Sequence, residues 1–314
     1  MTTPRRARTG PSRKPAAQIW SLFALVSVLW GVPYLFNDIA LRATGPLWIA
    51  AIRVIIASLA MGPLLLRRGR WRILTTRWRA LLLVAVVEVV LPFSLITLGQ
   101  RDVTSGTTGV LIATEPIFVA LIALVIARGR GLPLSGWLGL AIGIVGVVTL
   151  LGIEVTGPGA FLIVLAALSY ATGAILISRL FATTDPLHST AAMILTATPI
   201  LLIIAAVFEP FTVPTPSAFA SLLVLGIACT AAGFTVFFML IKRAGPTTAS
   251  LTAYVAPIVA LLAGLIVLGE QITLIQILGC ALILAGAGPV MRAEQAARAF
   301  QPPTTSDQAP TPIP

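Results

Sequence analysis

The chain has 314 residues, of which 58% are hydrophobic and 10% charged, with a formal net charge of +11. Soluble domains carry roughly 25% charged residues, so a single globular core is excluded, and an all-α membrane protein with the lipid bilayer as its partner is expected. The positive charge marks no nucleic-acid partner, because it sits in short loops between apolar runs rather than in one patch.

Residues 1–17, MTTPRRARTGPSRKPAA, form a basic tail read as cytoplasmic. A basic leader before an apolar run has the shape of a signal peptide. The run from Ile19 to Phe36 is long enough to stay as a span, however, and is read as one. Ten apolar runs then follow, at about 18–37, 46–66, 79–99, 104–127, 133–152, 158–179, 187–208, 217–241, 246–268 and 272–291. Each approaches the roughly 20 residues that a helix needs to cross the hydrocarbon. The joints carry Gly45-Pro46, Gly157-Pro158, Asp185-Pro186 and Gly245-Pro246. Residues 152–158, GIEVTGP, are the seam between two five-helix halves, 18–152 and 158–291. Residues 292–314 are expected to be a disordered cytoplasmic tail.

Charge tests this parse. With the N-terminus in the cytoplasm and ten spans, all but three of the 21 basic residues fall on the cytoplasmic side. The exceptions are Arg42 and Arg101 outside and Arg53 within a span. Such a bias is the topology signal of cytoplasmic loops. Trp20, Trp48, Trp71, Trp78 and Trp137 lie near span ends, where amphipathic rings suit the headgroup layer. Trp30 lies well inside the first run.

The fourth run has an echo. Thr107 to Leu121, TTGVLIATEPIFVAL, overlays Thr248 to Leu262, TASLTAYVAPIVALL, placing Thr107 on Thr248, Pro116 on Pro257 and Leu121 on Leu262. One ancestral helical bundle is thus present twice. Both prolines are expected to break their helices, and the carbonyls they free are tolerated where they line a cavity. At the position of Ala256 in the second copy, the first carries Glu115.

Three ionisable residues share one depth. At 1.5 Å per residue, Glu88 lies roughly 14 Å into the third run, Glu115 roughly 16 Å into the fourth and Arg53 about 10 Å into the second. Charge at that depth is costly unless paired or wetted. One reading is an aqueous cavity in which Glu88 or Glu115 binds a proton or a cationic part of a substrate, with Arg53 as counter-ion or carboxylate clamp. The other is a structural Arg–Glu pair joining three helices. Trp30, Tyr34, Tyr170 and Tyr254 are candidate cavity walls, and Asn37 and Asp38 are read as capping the first helix. Glycines 139, 143 and 146, with 279, 286 and 288, read as close-packing faces, within a monomer or in a homodimer. Cys229 and Cys280 lie in apolar runs and are read as small hydrophobes.

The chain resembles the EamA-type branch of the drug/metabolite transporter superfamily. The resemblance rests on LWGVPYLFNDIAL, the internal Arg53, the paired segments ATEPIFVALIAL and AYVAPIVALLAGLIVLGE, and the closing ILGCALILAGAG. It implies ten helices in two inverted five-helix repeats, moving small metabolites across a bacterial inner membrane. One departure is clear. Members often carry a Glu soon after the fourth helix of each half; the second half has Gly269-Glu270, whereas the first has Arg128-Gly129-Arg130.

The chain has one histidine, no HExxH, no metal-spaced cluster and no P-loop, so neither enzyme, metal, cofactor nor ATP-driven transport is indicated. The expectation is a multi-pass secondary transporter that exports small polar metabolites such as amino acids, with proton coupling through Glu115 and Glu88. Efflux of cationic compounds and translocation of a lipid-linked substrate remain alternatives.

Overall fold

The computed structural model describes residues 14–66, 70–126, 134–153, 158–250 and 252–299. The start of the expected N-terminal tail, the centre of the seam and the end of the C-terminal tail lie outside the described residues. Among those described there is no strand. Ten apolar helical segments follow one another: α1 (Ala17–Leu41), α2 (Pro46–Leu66), α3 (Trp78–Gly99), α4 (105–126), α5 (Leu134–Ile153), α6 (Gly159–Leu180), α7 (Pro186–Phe208), α8 (Pro216–Ile241), α9 (Thr252–Leu268) and α10 (Leu274–Ala299).

Seven of these, α1 to α4 and α6 to α8, are long and apolar enough to cross a membrane, while the apolar parts of α5, α9 and α10 are shorter. Several joints differ from expectation. The helix leaving α8 runs on through Gly245-Pro246 to Ser250, so that pair is not a turn. Pro257 lies inside a continuous helix, Thr252–Ala263, and is corrected from a break to an internal proline. A proline forfeits one ladder bond, which packing against neighbours can offset within a bundle. At Pro116 the break is present, with α4 interrupted between Ile112 and Glu115. A second interruption, unexpected, falls at Val32 between the helices Lys14–Gly31 and Pro33–Leu41. At the other end α10 continues to Ala299, so residues 292–299 are helical rather than tail.

The halves pack in a reciprocal pattern. α1 lies on α8 and α9, α2 on α7 and α8, α3 on α6 and α7, α4 on α6 and α9, and α5 along α10. Replacing each helix by the one five places away returns the same set, except that α4 also meets α10 without an α5–α9 contact of similar extent. The closest approaches use small side chains. Ala50, Ala51, Val54 and Ala57 of α2 are fully buried with Ala191, Ala192 and Ala197 of α7 in one core, as expected where dispersion rather than water expulsion holds helices together. Gly143 of α5 and Gly286 of α10 meet backbone to backbone, and a Cβ on Gly286 would sit 2.7 Å from the Gly143 Cα. The glycine faces named above therefore serve packing within the chain at these positions. Outward, Val125, Val207, Phe208 and Ile266 are largely exposed, a surface suited to lipid and costly in water.

Candidate functional site

Regular helical winding fails at equivalent places in the two halves, and once more at the end of α9 over Gly264–Leu268. α3 widens into π turns over Val86–Val90 and α8 over Val224–Ala232. A π turn inserts a residue into the helical ladder and is frequent at functional sites. Glu88 sits in the first widened stretch, and Cys229 and Thr230 sit in the second.

Arg53 on α2 is buried, with 8% of its surface exposed. Its Nε–H donates to Thr230 Oγ1 at 2.9 Å, and Thr230 donates onward to the Leu225 carbonyl at 2.8 Å. The guanidinium carbon lies 4.1 Å from the centre of the Phe93 ring, a cation–π contact with α3. Among the described residues Arg53 makes no ion pair; the pairs are Asp38–Arg42, Arg101–Glu209 and His188–Asp185. Of the two readings of the sequence, the structural Arg53–Glu pair is not formed among the described residues. A hydroxyl and an aromatic face take the guanidinium instead.

Both carboxylates sit where the backbone departs from a plain α-helix. Glu88 Oε2 is enclosed, without a hydrogen-bond partner among the described residues. It lies against Gly173 of α6, where any Cβ would overlap the carboxylate. One turn earlier on α6, Ser169 Oγ donates to the Val87 carbonyl at 2.6 Å and pins α6 to the widened turn. Glu115 opens the second segment of α4. Because Pro116 has no N–H, the Ile112 carbonyl loses its usual helical donor, while Thr114 Oγ1 donates to the Leu111 carbonyl at 2.7 Å.

Five of the sequence-derived residues converge. Glu115 is within electrostatic reach of Glu88, Tyr34 and Tyr170, and both tyrosines are within reach of Arg53. The Tyr34 ring lies against Gly109 of α4. Trp30, a turn earlier on α1, packs on α8 with its ring 4.5 Å from that of Phe237 and 5.9 Å from that of Phe234. Tyr254 has its hydroxyl beside Gly288 of α10. Among the described residues no metal-ligating cluster forms.

A second set of polar contacts, missed in the sequence, gathers at the end of the bundle that the loop charges assign to the outside. Glu209, after α7, accepts from the Leu47 and Trp48 N–H groups at 2.9 and 3.2 Å and so caps α2. The Trp48 indole donates to the Glu209 carbonyl at 3.0 Å, which ties this ring to the α7–α8 loop. Glu270 accepts from the Ser105 and Gly106 N–H groups at 2.8 and 3.0 Å and caps α4 in the same way. Gly269 places it there, with φ +69, in the left-handed region that favours glycine. Asn37 does not cap a helix. It is buried within α1, where its Nδ2 donates to Gln100 Oε1 at 2.9 Å, and Gln100 Nε2 donates to the Tyr34 carbonyl at 3.0 Å. Asp38 pairs with Arg42 at 3.1 Å, one turn on.

The EamA-like transporter family domain matches the chain twice, over residues 18–152 and 157–291. The chain belongs to the EamA-like transporter family. It is a multi-pass membrane protein, with seven candidate spans among the described residues and two copies of the family domain. This EamA chain is 30% identical over 278 residues to the uncharacterized inner membrane transporter YedA of Escherichia coli (strain K12), covering 84% of the chain and 87% of YedA. It is 26% identical over 270 residues to the uncharacterized transporter YoaV of Bacillus subtilis (strain 168), covering 83% of the chain and 92% of YoaV. A solved crystal structure covers 91% of the chain and 99% of its own length, with a TM-score of 0.64 at 19% identity, and so shares the fold.

Proposed function

We propose that this EamA chain is a secondary transporter that exports small polar metabolites, amino acids among them, by alternating access coupled to protons. One observation carries the proposal. Glu88 and Glu115 are set deep in apolar helices, at a widened turn and an interrupted turn, with neither carboxylate paired to a cation among the described residues. A carboxylate so placed is hydrated only when the cavity opens, which ties its proton to the side that is open.

The proposed topology is ten spans, both termini cytoplasmic, with the two halves inverted. The distribution of basic residues supports it, as does the contact pattern, most of which survives exchange of the halves. Inverted halves give alternating access a simple basis, since the two can exchange conformations about a fixed site. Within that site Arg53 would present its remaining N–H donors to a substrate carboxylate, held in place by Thr230 and Phe93. A second reading, efflux of cationic compounds, is favoured by the same unneutralised carboxylates beside Tyr34 and Tyr170, because aromatic faces suit cations.

The test is flux in proteoliposomes, comparing wild type with Glu115→Gln against amino acids and cationic drugs. Substrate-dependent proton movement that is lost in the variant supports the coupling and names the substrate class. Substrate movement without protons, unchanged in the variant, refutes it.

A further inference from the structure

A cavity of about 390 Å³ opens among the outer ends of α1, α2 and α3, away from the Glu88–Glu115 cluster, and its walls include Asp38, Arg42, Thr44, Gln100 and Arg101. Its charged groups are only lightly engaged. Arg42 makes one contact, to Asp38 at 3.1 Å, and Arg101 makes one loose contact, to Glu209 at 3.6 Å. Their side chains are 65% and 57% exposed, so most of the five N–H donors on each guanidinium remain available.

Two buried polar residues shape the wall. Thr44 is 4% exposed, yet its Oγ1 has no hydrogen-bond partner among the described residues. That oxygen is enclosed by the protein, so it shapes the wall and is not presented to a ligand. Gln100, 5% exposed, is fixed at both ends of its amide, by Asn37 and by the Tyr34 carbonyl. The wall is therefore preorganised, and it leads along α1 to a residue of the deeper cluster. The first N–H groups of α2 are not available to a ligand, because Glu209 already takes them.

The charge pattern selects the ligand. A simple anion would meet Asp38, and a simple cation would meet two guanidinia. A molecule carrying both signs satisfies all three charged groups, with its carboxylate on Arg42 and Arg101 and its ammonium on Asp38. We propose that this cavity is an outer binding site for a small zwitterion of the α-amino-acid class, separate from the Glu88–Glu115 cluster. The choice of ligand class rests on the transport reading above; the existence of the site does not. A carboxylate bound to Arg101 would compete with Glu209, the cap of α2, so occupancy of the cavity also bears on how firmly the outer end of α2 is held.

The test is binding rather than flux, with the full chain in phosphatidylcholine nanodiscs titrated by ligand-observed NMR. The probes are L-alanine and its two halves, acetate and methylammonium. L-Alanine should bind more tightly than either half. Arg42→Gln should weaken L-alanine and acetate about tenfold, and Asp38→Asn should weaken L-alanine and methylammonium by a similar factor. Arg79→Gln, exposed at the opposite end of α3, should leave all three unchanged. Arg101→Gln serves as a second variant on the carboxylate side, with unchanged thermal unfolding confirming that each protein is folded. L-Alanine binding that is absent in wild type, insensitive to the outer variants, or lost only in Glu115→Gln overturns the proposal. The last result would leave the transport reading standing, whereas L-alanine binding with no flux of any substrate would count against transport alone.

Discussion

Glu270→Ala is expected to weaken the protein at a point far from Glu270 in sequence. The carboxylate accepts two backbone N–H groups at the start of α4, at 2.8 and 3.0 Å, from the opposite half of the chain. Each hydrogen bond to a charged group contributes about 1.5–3 kcal/mol net. Water can replace part of both at this partly exposed end, so the loss is about 2–4 kcal/mol. At about 2 cal/mol/K per residue, a chain of this size has an unfolding entropy of roughly 0.6 kcal/mol/K. The expected drop in Tm is then about 3–6 °C, read by intrinsic fluorescence on the purified protein. Glu270→Gln, which keeps one acceptor oxygen, should fall between wild type and Ala. Hydrogen exchange at Ser105 and Gly106 should accelerate in Glu270→Ala. A Tm within about 1 °C of wild type, with exchange at those amides unchanged, would refute the capping argument.

Three other substitutions probe the interior and the approach to Glu270. Gly269→Ala forces a Cβ into the left-handed region at φ +69 and should cost about 1 kcal/mol, lowering Tm by about 2 °C. Thr230→Val removes the acceptor for Arg53 Nε while keeping the shape, and should cost about 1–3 kcal/mol by the same thermal assay. Gly173→Ala drives a methyl group into the Glu88 carboxylate, an overpacking of about 1–3 kcal/mol. Adding Glu88→Ala should recover most of that loss, and a double-mutant cycle with no coupling would show that the two side chains do not meet.

The membrane class, the apolar segments and the duplication were legible because they depend on composition and spacing, which the chain displays directly. The convergence of Glu88 and Glu115 followed from depth alone, since two helices of known rise bring equal depths together. What escaped depended on partners distant in the chain. Nothing near Arg53 in sequence announces Thr230, and nothing near Ser105 announces Glu270. The widened turns in α3 and α8 were equally hidden, because one inserted residue in an all-apolar helix leaves no periodic mark. The prolines divided: Pro116 coincides with a break and Pro257 does not. A missing N–H is written in the sequence, whereas the neighbours that compensate for it are not.

The capping carboxylates also bear on biosynthesis. The first turn of α2 is completed by a residue 162 positions later, and that of α4 by one 165 positions later. At about 5–20 residues per second, a ribosome needs on the order of 10–30 s to supply each of them. Until then both helix starts must rely on water for their open N–H groups, and the earlier half waits, incompletely terminated, for the later one to arrive.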